Sequence, residues 1–474
     1  MFTLDDILQG NTNGVRIHSN TPSDSQLVFR SAHHDSRQIK PGDLFIAIKG
    51  AKVDGHRFIP AVARAGALGA LCAEPAEDVP PDFLQIVVPD VVAALHATAR
   101  VRAARQQNTT LIGITGSNGK TSTKEAVAAV LSRKAPTLKT QASYNNEIGY
   151  PLTLLRLEPQ HRYAVLEMGA QWVGELAWLC RTIARPDWSM VTNVGAAHLE
   201  FFKSQERVVI AKSELVQALA PDGIAILNYD DLNVRGMGTK TQARLLYYGQ
   251  ADEAEVRGSE IKGDTLRGLS FTLSYHGTQR LVQLHLPGAH GVAIALAAAA
   301  AGCAAEMSLD DIVAALEALA PARGRCEIKP GPNGSTLIDD TYNANRQSII
   351  AITQAMHASS PAPAGKRWAV LGDIFELGSF APAEHRASGA ALAGTVDYLI
   401  AVGEQARFYV EGAIEAGFPE KNAYYFPADV DNSAALESAK VATAELLKRE
   451  VHADDLVLLK GSRGMRMETI LDML

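Results

Sequence analysis

Cysteine is scarce and scattered in this sequence. Cys72, Cys180, Cys303 and Cys326 are its only four, and no two form a CxxC pair, which excludes a disulfide framework and a cysteine-built zinc site. A reducing compartment fits. Long apolar runs are also missing. The most membrane-like stretch, Gly291 to Ala305 (GVAIALAAAAAGCAA), falls short of the roughly 18 residues a span requires, and alanine is only weakly lipophilic. It reads as a buried, closely packed helix. The N-terminal MFTLDDILQG has acid where a signal peptide needs base, so a cytoplasmic protein is expected. Nor is there a basic excess: 45 Lys and Arg against 52 Asp and Glu leave a net charge of -7, the wrong sign for a chain that neutralises many phosphates. Arg100, Arg102 and Arg105 read as a solvated helix face. Nucleic acid and membrane insertion are thereby excluded, no internal repeat of fixed period is present, and a monomer is expected.

What the chain has is ordinary globular material. Its 474 residues, 47% apolar and 20% charged, suggest about three domains at roughly 150 residues each and rule out disorder. Residues 1–89 alternate short apolar runs (LFIAI, FLQIVV) with turn signals and predict a small mixed α/β unit. A helix over about Val91 to Arg105 follows. From Thr110 the strands LIGIT, YAVLEM, SMVTNV and IAILN alternate with helices, predicting a parallel sheet with crossover helices over 90–320. The segment from about Glu255 to Leu286 reads as antiparallel hairpins appended to it. Residues 321–474, with the strands STLIDD, RWAVLGD, DYLIAVG and DLVLLKG, predict a second open, Rossmann-like α/β sheet. Within it SPAPAG (Ser360 to Gly365) reads as a surface loop. The fold class is thus α/β in three domains.

The strongest local motif is GITGSNGKTS (Gly113 to Ser122). A strand, a glycine turn, Lys-Thr and a helix N-terminus form the order in which backbone N–H groups and the helix dipole cradle polyphosphate. Lys120 would reach the terminal phosphates, and the Thr121 hydroxyl would face Mg²⁺. The strict P-loop spacing fails by one residue, because Ile114 stands where glycine is required. Glu167 closes YAVLEM where a parallel sheet opens its ligand crevice, and a carboxylate there suits Mg²⁺. His198 follows SMVTNV; alone, such a histidine is more often a structural hydrogen-bonding group.

TGSNGKT, YNNEIGYP (Tyr144 to Pro151), LEMGA, TNVGAAHLE and AKSEL occur in the order seen in the Mur ligases, which the whole chain resembles. DSRQIKPGDLFIAIKG (Asp35 to Gly50) and DGHRF resemble their UDP-substrate domain. DDTYNAN (Asp339 to Asn345), LGDIFELG and KGSRGMRME resemble their third domain and are more specific than the phosphate loop. The resemblance implies an ATP-dependent ligase of the bacterial cytoplasm, acting in peptidoglycan synthesis, that joins D-alanyl-D-alanine to UDP-N-acetylmuramoyl-tripeptide through an acyl phosphate. It implies ATP contacts from Thr115, Gly116, Ser117, Asn118, Gly119, Lys120, Thr121 and Ser122, and from Asp340, Tyr342 and Asn343. Two Mg²⁺ ions would draw on Thr121, Glu167, His198 and Lys212, the last as a carbamate. Arg325 would contact phosphate on domain closure. Ser36, Arg37, Asn145 and Asn146 would bind the UDP-linked substrate. Asp373, Glu376, His385, Lys460, Ser462 and Arg463 would line the dipeptide side, with His385 as a proton acceptor.

One departure stands out. Where the family has asparagines after Leu-Pro-Gly, this chain has Gly291 and Ile294, which implies altered base recognition with Tyr342 or Asn343 compensating. Two alternatives stay open: another Mur-type or folylpolyglutamate-type amide ligase, and a P-loop ATPase switch. The N-terminal domain argues against the folate enzyme, and the clustered charge at C-terminal strand ends argues against a switch.

Overall fold

A computed structural model describes residues 1–19, 24–50, 53–195, 199–266, 268–359 and 365–474. Among the described residues three large sheets follow one another along the chain, beside a two-stranded pair of Phe2–Thr3 and Val28–Phe29. The first has five strands in the order Arg16–His18, Leu84–Val87, Gly69–Cys72, Leu44–Ile46, Ala32–His33, parallel except for the first pair. LFIAI and FLQIVV form its middle because both faces of these strands are covered.

The second sheet has nine strands. Thr110–Thr115 is an inner strand, third from one edge, paired in parallel with Tyr163–Glu167 on one side and Trp188–Val191 on the other. The expected hairpins are present as Val256–Asp264, Gly268–Tyr275 and Thr278–Leu284, antiparallel to one another. They are not an appendage. Val256–Asp264 also pairs in parallel with Arg244–Gly249, so the meander extends the main sheet. The physical reason is their shared core: Phe271, Leu273 and Val282 pack in one cluster with Val292 and the alanines of the helix Ala289–Ala304. That helix is the alanine-rich run, buried as its composition predicts. Small side chains let it approach the helix Lys120–Ser132 closely. At Gly302 a Cβ would lie 2.8 Å from Ile312 and 3.0 Å from Val130. Among the described residues no helix is long and apolar enough to cross a membrane.

The third sheet has six strands, in the order Glu327–Pro330, Thr336–Asp340, Leu456–Lys460, Arg367–Gly372, Tyr398–Val402, Ala423–Phe426, and only its first pair is antiparallel. Helices cover both faces. The SPAPAG segment lies outside the described residues, apart from Gly365.

The arginine face is a correction. The helix Val91–Ala104 packs against both Leu4–Gly10 and Gly149–Leu154, so part of that face meets protein, while Arg100 is exposed as expected. Arg102 is buried, and its Nε donates to the Leu157 carbonyl at 3.0 Å. Arg105 bridges Asp5 and Asp6. All four cysteines are free and buried.

Candidate active site

The carboxyl end of Thr110–Thr115 turns into the helix Lys120–Ser132 through residues 116–119. Two positions require glycine. Gly116 has φ 147°, and a Cβ there would lie 2.0 Å from Thr192 Oγ1; Gly119 caps the helix at φ 75°. Ile114 is a fully buried strand residue opposite Glu167, so the turn starts one residue later than the strict motif. The neighbouring strand end braces the loop. Ser117 N donates to Asn193 O at 2.9 Å, and Thr192 Oγ1 donates to Asn118 O at 2.7 Å. Lys120 Nζ curls back onto the loop, donating to Gly116 O at 2.8 Å and Ser117 O at 3.3 Å. Burial lowers its pKa, and the charge of Glu167 opposes that. A phosphate held on the loop's N–H groups would meet this ammonium.

Glu167 sits at the end of the adjacent strand, 1% exposed. Its Oε1 accepts from Asn145 Nδ2 at 2.8 Å. Its Oε2 is buried with no hydrogen-bond partner, and Lys124 Nζ is 3.9 Å away. An orphaned carboxylate oxygen on the same cavity as the Thr121 hydroxyl is a donor pair that fits Mg²⁺, which takes one or two protein oxygens and fills its octahedron with phosphate and water. Among the described residues no cluster of three or more His, Cys, Asp or Glu could hold a metal unaided. Lys212 is buried behind this wall. Desolvation first, and the charge of Lys120 second, bring its pKa down to about 7, against the pull of Glu175 and Glu214.

The third domain closes the other side. Arg325 Nη2 donates to Thr121 Oγ1 at 3.1 Å, its guanidinium lies 4.1 Å from the centre of the Tyr342 ring, and its buried Nε has no partner. Tyr342 hydrogen-bonds Ser143 through its hydroxyl, and Arg463 approaches the same ring at 5.6 Å. The cavity between these walls measures about 950 Å³.

Three family matches cover most of the chain: Mur ligase family, catalytic domain, over 30–109; Mur ligase middle domain, over 114–302; and Mur ligase, glutamate ligase domain, over 324–463. UDP-N-acetylmuramoyl-tripeptide--D-alanyl-D-alanine ligase of Escherichia coli is 36% identical over 98% of this chain and 96% of its own length. The chain belongs to the Mur ligase family. Among solved structures, MurF from Acinetobacter baumannii superposes with TM-score 0.84 at 30% identity, covering 99% of this chain and 98% of that one. MurF ligase from Thermotoga maritima in complex with ADP does so with TM-score 0.78 at 26% identity, covering 95% and 98%.

In this Mur ligase the predicted residues divide sharply. Ser117 to Ser122, Asn145, Asn146 and Glu167 line the cavity from the central domain, and Arg325, Tyr342, Asn343, Glu376 and Arg463 from the third. Glu376 holds a left-handed φ of 61°, the kind of local strain that persists where surrounding structure dictates it. Thr115, at the strand end, and Gly116, the first residue of the loop, do not line the cavity. Ser36 and Arg37 also lie off it. Arg37 is spent on Asp35 at the surface, while its neighbour Gln38 donates to Tyr144 OH at 3.0 Å beside the Asn145 loop. His198 lies outside the described residues.

Four acceptor-side expectations are corrected. Lys460 reaches the cavity wall, but its Nζ is committed to Asp340 and, at 2.9 Å, to Asn343 O. Asp340 also lines the cavity, but its carboxylate anchors Lys460 and the Cys326 N–H. Asp373 is buried, its Oδ2 accepting from Glu404 N and Gln405 N at 3.0 and 3.2 Å, and burial pushes its pKa up to about 6. His385 accepts from Ile374 N at 2.9 Å and pairs with Ala381 O through Nδ1 at 2.8 Å; burial takes its pKa down to about 4, so it has no free nitrogen for substrate. Ser462 lines the cavity as expected, but it is largely buried and its hydroxyl accepts from Phe375 N at 2.8 Å. Gly291 and Ile294 do line the cavity, where a Cβ at Gly291 would lie 2.9 Å from Leu286 O.

Reading by motif missed several groups. Ser143, Thr192, Asn193 and Gln347 are uncharged and carried no chemical signal of their own. Lys124 could have been found as the i+4 neighbour of Lys120 on the same helix face. It is fully buried, donating to Thr140 O and Ala142 O at 2.7 Å each.

Proposed function

We propose that this Mur ligase joins D-alanyl-D-alanine to the tripeptide carboxylate of UDP-N-acetylmuramoyl-tripeptide at the expense of ATP. The observation that carries the reading is the convergence of Lys120, Thr121, Glu167 and Arg325, from two domains, on one cavity in a chain similar along nearly its whole length to the E. coli ligase. Residues 1–89 would hold the UDP end, 90–320 ATP, and 321–474 the dipeptide.

The reaction balances in two steps. A carboxylate oxygen of the tripeptide attacks the γ-phosphorus and ADP leaves, giving an acyl phosphate. The dipeptide amine then attacks the acyl carbon, loses a proton, and expels inorganic phosphate. Bringing one anion to another is the difficulty, so the chain concentrates positive charge there. Lys120 lies across the phosphate loop to neutralise the transferring group. Arg325, hydrogen-bonded to Thr121 and stacked on Tyr342, brings a second cation from the third domain. The Thr121 hydroxyl and Glu167 Oε2 would hold Mg²⁺, which when bound draws charge from the polyphosphate. A second ion would draw on His198 and on Lys212 as a carbamate. The lowered pKa supports that modification, since a lysine near 7 is substantially neutral, and only the neutral amine can attack CO₂, forming an N–C bond and releasing a proton. Bacterial cytoplasm is the compartment in which these substrates would meet it.

The test is ADP release in the presence of each substrate alone and both together. Release that needs both supports the ligase. Release that needs neither makes the chain an ATPase.

A further inference from the structure

Three side-chain amides join the third domain to the phosphate loop. Asn345 Nδ2 donates to Asn118 Oδ1, and Asn118 Nδ2 donates to Gln347 Oε1 at 3.0 Å. The direction of this relay is fixed from one end. The Ser348 N–H can only donate, and it takes Asn345 Oδ1 at 2.9 Å as the N-cap of the helix Arg346–Ala358. Asn345 must therefore turn its NH₂ outward, Asn118 must answer with its oxygen, and the Asn118 NH₂ is left for Gln347. The main chain of Asn118 belongs to the central domain instead. Its N–H donates to Asn193 Oδ1 at 2.9 Å, and its carbonyl accepts from Thr192 Oγ1 and Asn193 Nδ2 at 2.7 and 3.0 Å. One residue is gripped from both sides of the domain junction. Gln347 comes this close because residue 195 has no side chain: a Cβ on Gly195 would lie 2.0 Å from its Oε1.

We infer that Asn118, Asn345 and Gln347 form a latch that makes closure of the third domain and the shape of the phosphate loop interdependent. These are positioning residues. A loop distorted from its Asn193 and Thr192 braces cannot present the Asn118 amide in register, and a third domain that has swung away leaves that amide to water. For the ligase reading, on which the kinetic half of the test rests, the advantage is that an acyl phosphate is shielded from water only while the acceptor domain is shut.

The experiment uses the full chain as wild type, Gln347→Ala, Asn118→Ala and the double variant. Small-angle scattering with a non-hydrolysable ATP analogue reads compaction, and steady-state kinetics reads kcat and KM for the dipeptide. The latch predicts that each single variant expands the nucleotide-bound protein and lowers kcat/KM for the dipeptide, Gln347→Ala about three- to tenfold, the range for one net amide hydrogen bond, and Asn118→Ala, which removes two, by more. Melting temperature and binding of the UDP-linked substrate should stay at wild-type values. The double variant should be no worse than Asn118→Ala, because both remove the same bond. Unchanged compaction, or losses that simply add, would overturn the latch. Wild-type protein without dipeptide-dependent turnover would sink the ligase reading, and the scattering comparison would still decide the latch.

Discussion

At the ends of Thr110–Thr115 and Tyr163–Glu167 the charged groups on the cavity keep binding capacity free, whereas at the ends of Thr336–Asp340, Arg367–Gly372 and Leu456–Lys460 several are engaged with protein even where they reach the cavity. Lys120 and Glu167 keep binding capacity unspent: one ammonium rests on carbonyls that a phosphate could replace, and one carboxylate oxygen is unpartnered. Asp340 and Lys460 are spent on each other, one oxygen of Asp373 on the Glu404 and Gln405 N–H groups while the other has no hydrogen bond, and His385 on two backbone partners. The third domain uses buried charge to hold loops. It offers the cavity two arginines, Glu376, an aromatic ring and amides as well. A charged motif at a strand end therefore marks a site in one domain and largely a scaffold in the other, and what tells them apart is an unsatisfied valence that opens on the cavity: Asp373 also keeps an unpartnered oxygen but does not line it.

The largest effect should come from the binding side. Lys120→Ala should cut kcat by at least about 10²- to 10³-fold, the order for one transition-state charge partner, while calorimetry shows UDP-linked substrate binding close to wild type. Loss of both would mean that the loop is structural.

On the scaffold side, Lys460→Met should destabilise the protein by about 3–5 kcal/mol in urea unfolding, because it leaves Asp340 buried and uncompensated. Arg463→Ala, on an exposed side chain, should change stability by less than about 0.5 kcal/mol and act on dipeptide KM instead. Equal stability losses would erase the contrast between the two.

Acid response sharpens it further. The folded pKa of His385 is depressed, so its contribution is present above its unfolded value and is lost as pH falls towards about 4. That of Asp373 is raised to about 6, so its contribution is present at low pH and is lost as pH rises through about 6. The two oppose each other, each worth about 2–3 kcal/mol at 1.36 kcal/mol per unit. His385→Gln, which keeps an acceptor for Ile374 N, should lose less stability than wild type between pH 7 and pH 4, read by urea midpoints. An identical pH profile would mean that His385 titrates normally.

The smallest effect concerns the base. With glycine and isoleucine at 291 and 294 and no side-chain amide at either, replacing ATP by GTP should lower kcat/KM by less than about tenfold. A loss of a thousandfold would show that another group reads the base.

Much of this was legible in the sequence. Hydrophobic runs bounded by turn signals located two inner strands of the first sheet and four parallel strands in each of the other two, but not Gly69–Cys72, Thr137–Lys139 or Arg244–Gly249, and the alanine run located its buried helix. The edge strands Glu327–Pro330 and Ala423–Phe426 were not legible, because EIKP and AYYF are short and half-exposed and carry no clean alternation. At the site, Lys120, Thr121 and Glu167 could be read because phosphate and Mg²⁺ chemistry demand those groups at that spacing. Asp373 and His385 could not be placed, since whether a carboxylate or an imidazole is satisfied depends on backbone N–H groups far away in sequence. The amides Asn118, Asn345 and Gln347 gain meaning only once two domains meet.

The account turns on phosphoryl transfer to the tripeptide carboxylate. UDP-N-acetylmuramoyl-tripeptide labelled with ¹⁸O in both oxygens of that carboxylate should, with ATP and D-alanyl-D-alanine, deliver one label to inorganic phosphate and keep the other in the new amide. Inorganic phosphate free of label, alongside continued ADP release, would contradict it.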